Sequence, residues 1–316
     1  MRAPQFWQHD GMLARSLAPL SAVTAAITAR RMTRAAYDCG VAVVCVGNAS
    51  VGGSGKTVLA RHILARYRAR GAAPYALTRG HGGRLRGPVL VDPAIHGARE
   101  VGDEALLLAA SAPTIVASDR AAGARLAVAS GASVIVMDDG LQNSGLRKTV
   151  SLLTIDGGAG FGNFRTLPAG PLREPVAAAA ARCAAGVLIG ADRHGALASL
   201  PGALPVLTAR LIASSPVELA GKRVVGFAGI GRPEKFFASL RGLGAELAGT
   251  RSFPDHYRYT PRDEARLSAM ADQARAILAT TEKDAVKLSA TFTLRCAIIG
   301  VDLGFEDAVA LDRLLP

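Results

Sequence analysis

The chain has 316 residues, half of them hydrophobic, with four cysteines and a formal net charge of +12. That length buries a large core and suits two α/β domains, and the absence of low-complexity tracts makes the chain globular throughout. Cys39, Cys45, Cys183 and Cys296 show no Cys-x-x-Cys spacing, which argues against a zinc site or disulfide framework and fits a reducing cytosol.

Residues 12–28 read MLARSLAPLSAVTAAIT, with Phe6 and Trp7 on one side and Arg30, Arg31 and Arg34 on the other. Arg15 and Pro19 interrupt the run, which is too short to span a bilayer, and it lacks the layout of a secretory signal. Two readings stand: a helix lying in a membrane interface, or an amphipathic helix packed on the domain. The excess of Arg leaves an anionic membrane surface or a phosphorylated substrate open, beside a simple bias of composition. Sparse aromatics without basic interleaving argue against nucleic acid.

An apolar, β-branched run at 41–46 then breaks into Ser50-Val51-Gly52-Gly53-Ser54-Gly55-Lys56-Thr57, which opens a helical segment. Strand, Gly-rich loop and helix start in that order define a phosphate-binding loop. The glycines let successive N–H groups turn toward one anion, and the helix adds its positive end. Lys56 would reach the β/γ-phosphates of a nucleoside triphosphate, and the Thr57 hydroxyl would hold Mg²⁺. Ser50 stands where the general pattern has Gly.

Beyond the loop, helices are predicted at 58–70, 100–110 and 121–130, alternating with strands at 74–78, 114–117, 133–137 and 152–156. That alternation predicts a P-loop NTPase-like, doubly wound, mostly parallel α/β sheet. Residues 157–175, GGAGFGNFRTLPAGPLREP, form an irregular connector over the site. Short strands follow at 187–189 and 206–209. A composition shift near 214–216 divides a kinase domain, 41–215, from a smaller C-terminal α/β domain, 216–316, with 1–40 as the N-terminal helical segment. The smaller unit is expected to hold strands at 223–228, 277–280 and 296–301 and a helix at 233–240.

Asp138 and Asp139, at the end of the strand SVIVM, sit where a carboxylate pair would meet the metal. A cation between them would relieve their mutual repulsion. Asp103 lies in the first turn of a helix, where it could simply complement the dipole, and His256 lies in an aromatic loop; neither position by itself assigns a role. Glu174 is equally open.

Taken together, GNASVGGSGKT, TRGHGG, VGDEALLLA, DDGLQ, GFGNFRTLPAGPLREP, AGIGRPEKFF, FPDHYRY and TEKDAVKL resemble the tetraacyldisaccharide 4'-kinases, over nearly the whole chain. The resemblance implies transfer of the ATP γ-phosphate to the 4'-hydroxyl of an acylated glucosamine disaccharide phosphate at the cytoplasmic face of a bacterial inner membrane. It implies ATP and Mg²⁺ as cofactors and Asp103 paired with His256 to activate the hydroxyl, either one taking the proton. It makes Asp138, Asp139 and Glu174 metal or site carboxylates, and Arg79 and Arg120 contacts to the sugar phosphate. It also favours the interfacial reading of the N-terminal helix, and the chain is expected to act as a monomer without nucleic acid. Asn143, Leu141, Val58 and His81 depart from the family pattern; Asn143, at the substrate side, keeps hydrogen-bonding capacity without positive charge. The rival readings are a P-loop ATPase or GTPase switch and a nucleotide-sensing membrane adaptor; the guanine-binding Asn/Thr-Lys-x-Asp is absent, since Thr281-Glu-Lys-Asp has the wrong spacing.

Overall fold

The computed structural model describes residues 4–316. Strands β1 (Ala42–Gly47), β2 (Pro74–Thr78), β3 (Val89–Leu90), β4 (Thr114–Val116), β5 (Val134–Asp138), β6 (Val150–Asp156), β7 (Ala185–Ile189) and β8 (Val206–Ser214) come first. They are followed by β9 (Arg223–Ala228), β10 (Glu246–Ser252), β11 (Ile277–Thr281) and β12 (Cys296–Phe305). All join one twelve-stranded sheet in the order β10-β9-β11-β12-β8-β7-β6-β1-β5-β2-β4-β3. Every neighbouring pair is parallel except β3/β4 and β8/β12.

The helices are α1 (Met12–Ser16), α2 (Ala18–Met32), α3 (Lys56–Ala69), α4 (Ala98–Val101), α5 (Asp103–Ala109), α6 (Arg120–Ala129) and α7 (Val176–Ala180), then α8 (Pro233–Gly242), α9 (Pro261–Ala274), α10 (Glu282–Ala285), α11 (Ala290–Thr293) and α12 (Ala308–Leu314). Alternation along β1 sends its side chains to opposite faces. Val44 and Val46 pack with Leu59, Ile63 and Leu64 of α3, while Val43 and Cys45 pack with Ala124 and Ala127 of α6. Burial on both faces explains why β1 and β5 read as continuous apolar runs rather than alternating ones.

Two differences from the sequence expectation bear on the site. The helix predicted at 100–110 is two helices, broken at Gly102 (φ 87°). The chain turns at Gly102 and Asp103 begins a helix of its own; a Cβ at Gly102 would come within 2.4 Å of the His81 carbonyl oxygen, so only glycine fits there. The second difference concerns the boundary at 214–216. It falls in the turn after β8, but the sheet continues through it. Residues 296–299 of β12 pair with β11 and residues 300–305 pair with β8. Leu303, Leu311 and Leu315 share a core with Leu59 and Ile63, so the last residues pack on the phosphate-loop helix rather than within the smaller unit. β10 and α9 were not anticipated; β10 is a half-exposed edge strand whose polar residues hide its period.

The N-terminal segment is helical with a break at Leu17. Ser21, buried on α2, donates from Oγ to Thr166 O (2.6 Å) and accepts from Ala169 N (3.1 Å), and Trp7 Nε1 donates to Pro168 O (3.1 Å). These bonds dock the segment on the 157–175 connector and leave Met12, Leu13, Leu20, Val23 and Ile27 exposed. Among the described residues no helix is long and apolar enough to cross a membrane.

Candidate active site

The loop after β1 lies at the C-terminal edge of the parallel strands, where open α/β sheets bind ligands. Gly55 takes the left-handed conformation (φ 83°) as α3 begins, a turn a side chain would resist. The 165–173 stretch runs beside this loop. Val51 N donates to Pro171 O (2.8 Å), Arg173 N donates to Ala49 O (2.7 Å), and Ser50 bridges Leu172. Lys56 Nζ donates to Asn48 Oδ1 (3.2 Å) and Gly52 O (3.4 Å) and lies 3.7 Å from Asp139 Oδ1.

Thr57 donates from Oγ1 to Asp138 Oδ2 at 2.9 Å. Burial, with Glu104 and Asp139 nearby, pushes the Asp138 carboxyl up to about 7. Asp139 follows with φ 53°, and Arg173 grips it by two hydrogen bonds of 2.8 and 3.0 Å. Burial works to raise Asp139, but Lys56 and Arg173 hold it below the usual carboxylate range. Three polar atoms here are buried without partners: Asn48 Nδ2, Ser54 Oγ and Asp138 Oδ1. Buried polar groups are rarely orphaned without a function. Their position around the loop matches a polyanionic tail and a hard cation. No three His, Cys, Asp or Glu side chains among the described residues form a metal cluster.

His256 Nδ1 lies 2.9 and 3.1 Å from the two carboxylate oxygens of Asp103, which sits 153 positions earlier at the start of α5, the helix packed beside α3. The ionised carboxylate only accepts, so Nδ1–H donates. His256 has φ 58°, and its loop is braced by the rings of Phe253, Tyr257 and Tyr259, whose centroids lie 4.8–5.3 Å apart. The hydrogen bond it donates to Asp103 raises the His256 imidazole above its ordinary value, against burial and the Lys283 ammonium. Burial opposes ionisation of Asp103, yet His256 and Lys283 keep its carboxyl low. Asp103 is buried and His256 is the more open member.

The remaining candidates part ways. Arg79 and His81 line, with Gly82, Gly83 and Arg86, an open cavity of about 400 Å³. Arg120 is buried, donates from Nη1 to Ala117 O, and leaves Nε unpaired; burial, with Arg79 close by, lowers it to about 10. Glu174, expected among the metal or site carboxylates, is held by neighbouring side chains in this structure. Arg182 takes both its oxygens (2.6 and 2.7 Å) and Gln142 Nε2 donates to one of them (2.8 Å), because the carboxylate is buried and must be paired. Asn143, expected on the substrate side, accepts through Oδ1 from Gly145 N (3.1 Å). Sequence reasoning gave no role to Asn48, Arg173 or Lys283, although each stands beside a residue or motif it singled out.

A phosphate loop with its threonine–aspartate pair, and an aspartate–histidine pair at the start of a helix packed beside α3, define a P-loop kinase. Residues 13–316 match the family model of the tetraacyldisaccharide-1-P 4'-kinases (LpxK), and the chain belongs to that family. The tetraacyldisaccharide 4'-kinase of Gluconacetobacter diazotrophicus is 55% identical over all of this chain and 97% of its own length. That of Methylorubrum extorquens is 50% identical over all of this chain and 98% of its own. The crystal structure of Aquifex aeolicus LpxK described as an "apo" form in complex with ATP is similar, with a TM-score of 0.74 and 26% identity, covering 96% of this chain and 98% of that one.

Proposed function

We propose that the protein transfers the γ-phosphate of ATP to the 4'-hydroxyl of tetraacyldisaccharide 1-phosphate, a step of lipid A biosynthesis. The observation that carries this reading is the Asp103–His256 pair, brought to hydrogen-bond distance from the two halves of the chain on the side of the phosphate loop. Backbone N–H groups of residues 52–57 would cradle the phosphates, and Lys56 would neutralise charge on the β/γ oxygens. The 4'-hydroxyl oxygen attacks the γ-phosphorus, the bond to the ADP oxygen breaks, and the hydroxyl proton passes to the Asp103–His256 pair. Thr57 and Asp138, with Asp139 behind them, would hold Mg²⁺. That ion spreads charge on the phosphate oxygens when bound. Arg79, at the open cavity, would meet the sugar phosphate; Arg120, being buried, would act behind it.

Met12, Leu13, Leu20, Val23 and Ile27, exposed on α1 and α2 with Arg30 and Arg31 at the end, support attachment to the cytoplasmic surface of the inner membrane. The division of the chain near residue 215 fits the turn between β8 and β9, and the enzyme is read as a monomer.

The test is direct. The purified protein is incubated with ATP, Mg²⁺ and the lipid disaccharide phosphate in anionic vesicles, and the lipid is examined by mass spectrometry. A second phosphate on the lipid is expected. ATP hydrolysis without it would favour a P-loop ATPase instead.

A further inference from the structure

The short turn α10 sends three consecutive charged side chains in three directions. Glu282 pairs with Arg61 of α3. Asp284, fully buried, accepts from Gly229 N (3.0 Å), Tyr259 Oη (3.0 Å), Thr281 Oγ1 (2.7 Å) and Lys287 Nζ (2.9 Å), and so fastens the turn to the loop that carries His256. Lys283, between them, points at the Asp103–His256 pair. Its Nζ lies 3.4 Å from His256 Nε2, 3.4 Å from Asp255 Oδ1, 3.7 Å from Glu104 Oε1 and 4.0 Å from Asp103 Oδ2.

From this geometry we propose that Lys283 is a positioning residue for phosphoryl transfer, its ammonium keeping the Asp103–His256 pair in the form that can accept a proton. The proposal rests on the kinase reading above. Three carboxylates approach within 4.0 Å of one nitrogen, and one imidazole does too. With Lys283 present, the carboxylates have a fixed counter-ion and His256 faces a positive neighbour. Without it, His256 becomes the nearest cation available to Asp103 and Asp255, and it would hold its proton to higher pH. Among the described residues, nothing else packed against the pair can replace Lys283. His81 presents only its ring edge, 5.5 Å between centroids, and Lys287 is committed to Asp284 at 2.9 Å. The carboxylates in turn keep Lys283 charged: burial lowers its proton affinity, and Glu104, Asp103 and Asp255 more than restore it. A shared ionised cluster of this kind titrates as a unit.

The experiment is an NMR titration of the His256 imidazole in the full-length protein, with the signal assigned by its loss in His256→Asn. In Lys283→Gln the signal should titrate at higher pH than in wild type, and Lys283→Arg should restore it. Asp255→Asn, which removes a carboxylate facing the ring, should displace it the opposite way and serves if Lys283→Gln does not fold. In lipid phosphorylation, the acidic limb of kcat should move to higher pH in Lys283→Gln. At pH 7 kcat should fall roughly tenfold or more, with the KM for ATP unchanged. An unmoved imidazole titration in folded Lys283→Gln, or in Asp255→Asn, overturns the proposal. A uniform loss of activity at every pH, with the limb unmoved, overturns it too. The titration needs no turnover, so absence of lipid phosphorylation in wild type would refute the kinase reading without touching the role of Lys283.

Discussion

Arg61 and Glu282, 221 positions apart, meet through two parallel hydrogen bonds of 2.7 and 2.8 Å. Arg61 lies on the helix that begins with Lys56, and Glu282 on the turn that carries Lys283. One ion pair therefore connects the helix that follows the glycine-rich loop with the turn that carries Lys283 toward Asp103 and His256. Truncating Arg61 to Met leaves a half-buried carboxylate uncompensated and should cost about 1–2 kcal/mol, between the values for exposed and buried pairs. Urea unfolding measures it, and adding Glu282→Gln should recover part of the loss.

Asp103→Asn and His256→Gln should each lower kcat by roughly 10²–10⁴, the range for a positioned acid–base group. Because the two side chains share one hydrogen bond, the double variant should be scarcely worse than either single one. Multiplying losses in steady-state assays would mean that the two act separately.

The same pair makes stability depend on pH. His256 is raised, so its contribution is complete below its unfolded value and fades as pH rises through the folded one. Asp103 is lowered, so its contribution is present above its unfolded value and disappears as pH falls through the folded one. The stability gap between wild type and His256→Asn should therefore peak in mildly acidic solution and narrow on both sides. Thermal unfolding across pH tests this; a gap that is flat from acid to alkaline pH would remove the ion pair from the account.

Gly55→Ala places a Cβ 2.7 Å from Ile189 Cδ1 on a backbone with φ 83°. The Ile189 side chain can move, but the left-handed backbone cannot relax without reshaping the loop. A loss of roughly 1–3 kcal/mol is expected together with weakened nucleotide binding. Ile189→Ala in the same chain should relieve little of either effect, since the conformation and not the contact is limiting.

Asp138 must be ionised to hold a cation, and its carboxyl stands at about 7. Binding of Mg²⁺ with nucleotide should therefore expel a proton below pH 7 and weaken as pH falls. Calorimetry in two buffers of different ionisation enthalpy counts that proton. Asp138→Asn should abolish the difference between buffers.

The sequence by itself determined the phosphate loop and the sheet around it, because both are written in local terms. Glycines at 52, 53 and 55 before Lys56-Thr57, and unbroken apolar runs at 41–46 and 133–137, act on neighbours a few residues away. The family motifs likewise named Asp103 and His256 together, although neither position alone assigned a role. The folded chain decided what distance along the sequence conceals. Gly102 breaks the predicted helix by turning to φ 87°, beside a His81 carbonyl oxygen that leaves no room for any side chain there. The pairing of the buried Glu174 carboxylate with Arg182 and Gln142 is likewise set by packing. Lys283 matters only where β11 and α10 deliver it, beside the carboxylate of Asp103 from the other half of the chain. Charges separated along the chain acquire their meaning from the partners that packing leaves them, and burial makes those pairings obligatory.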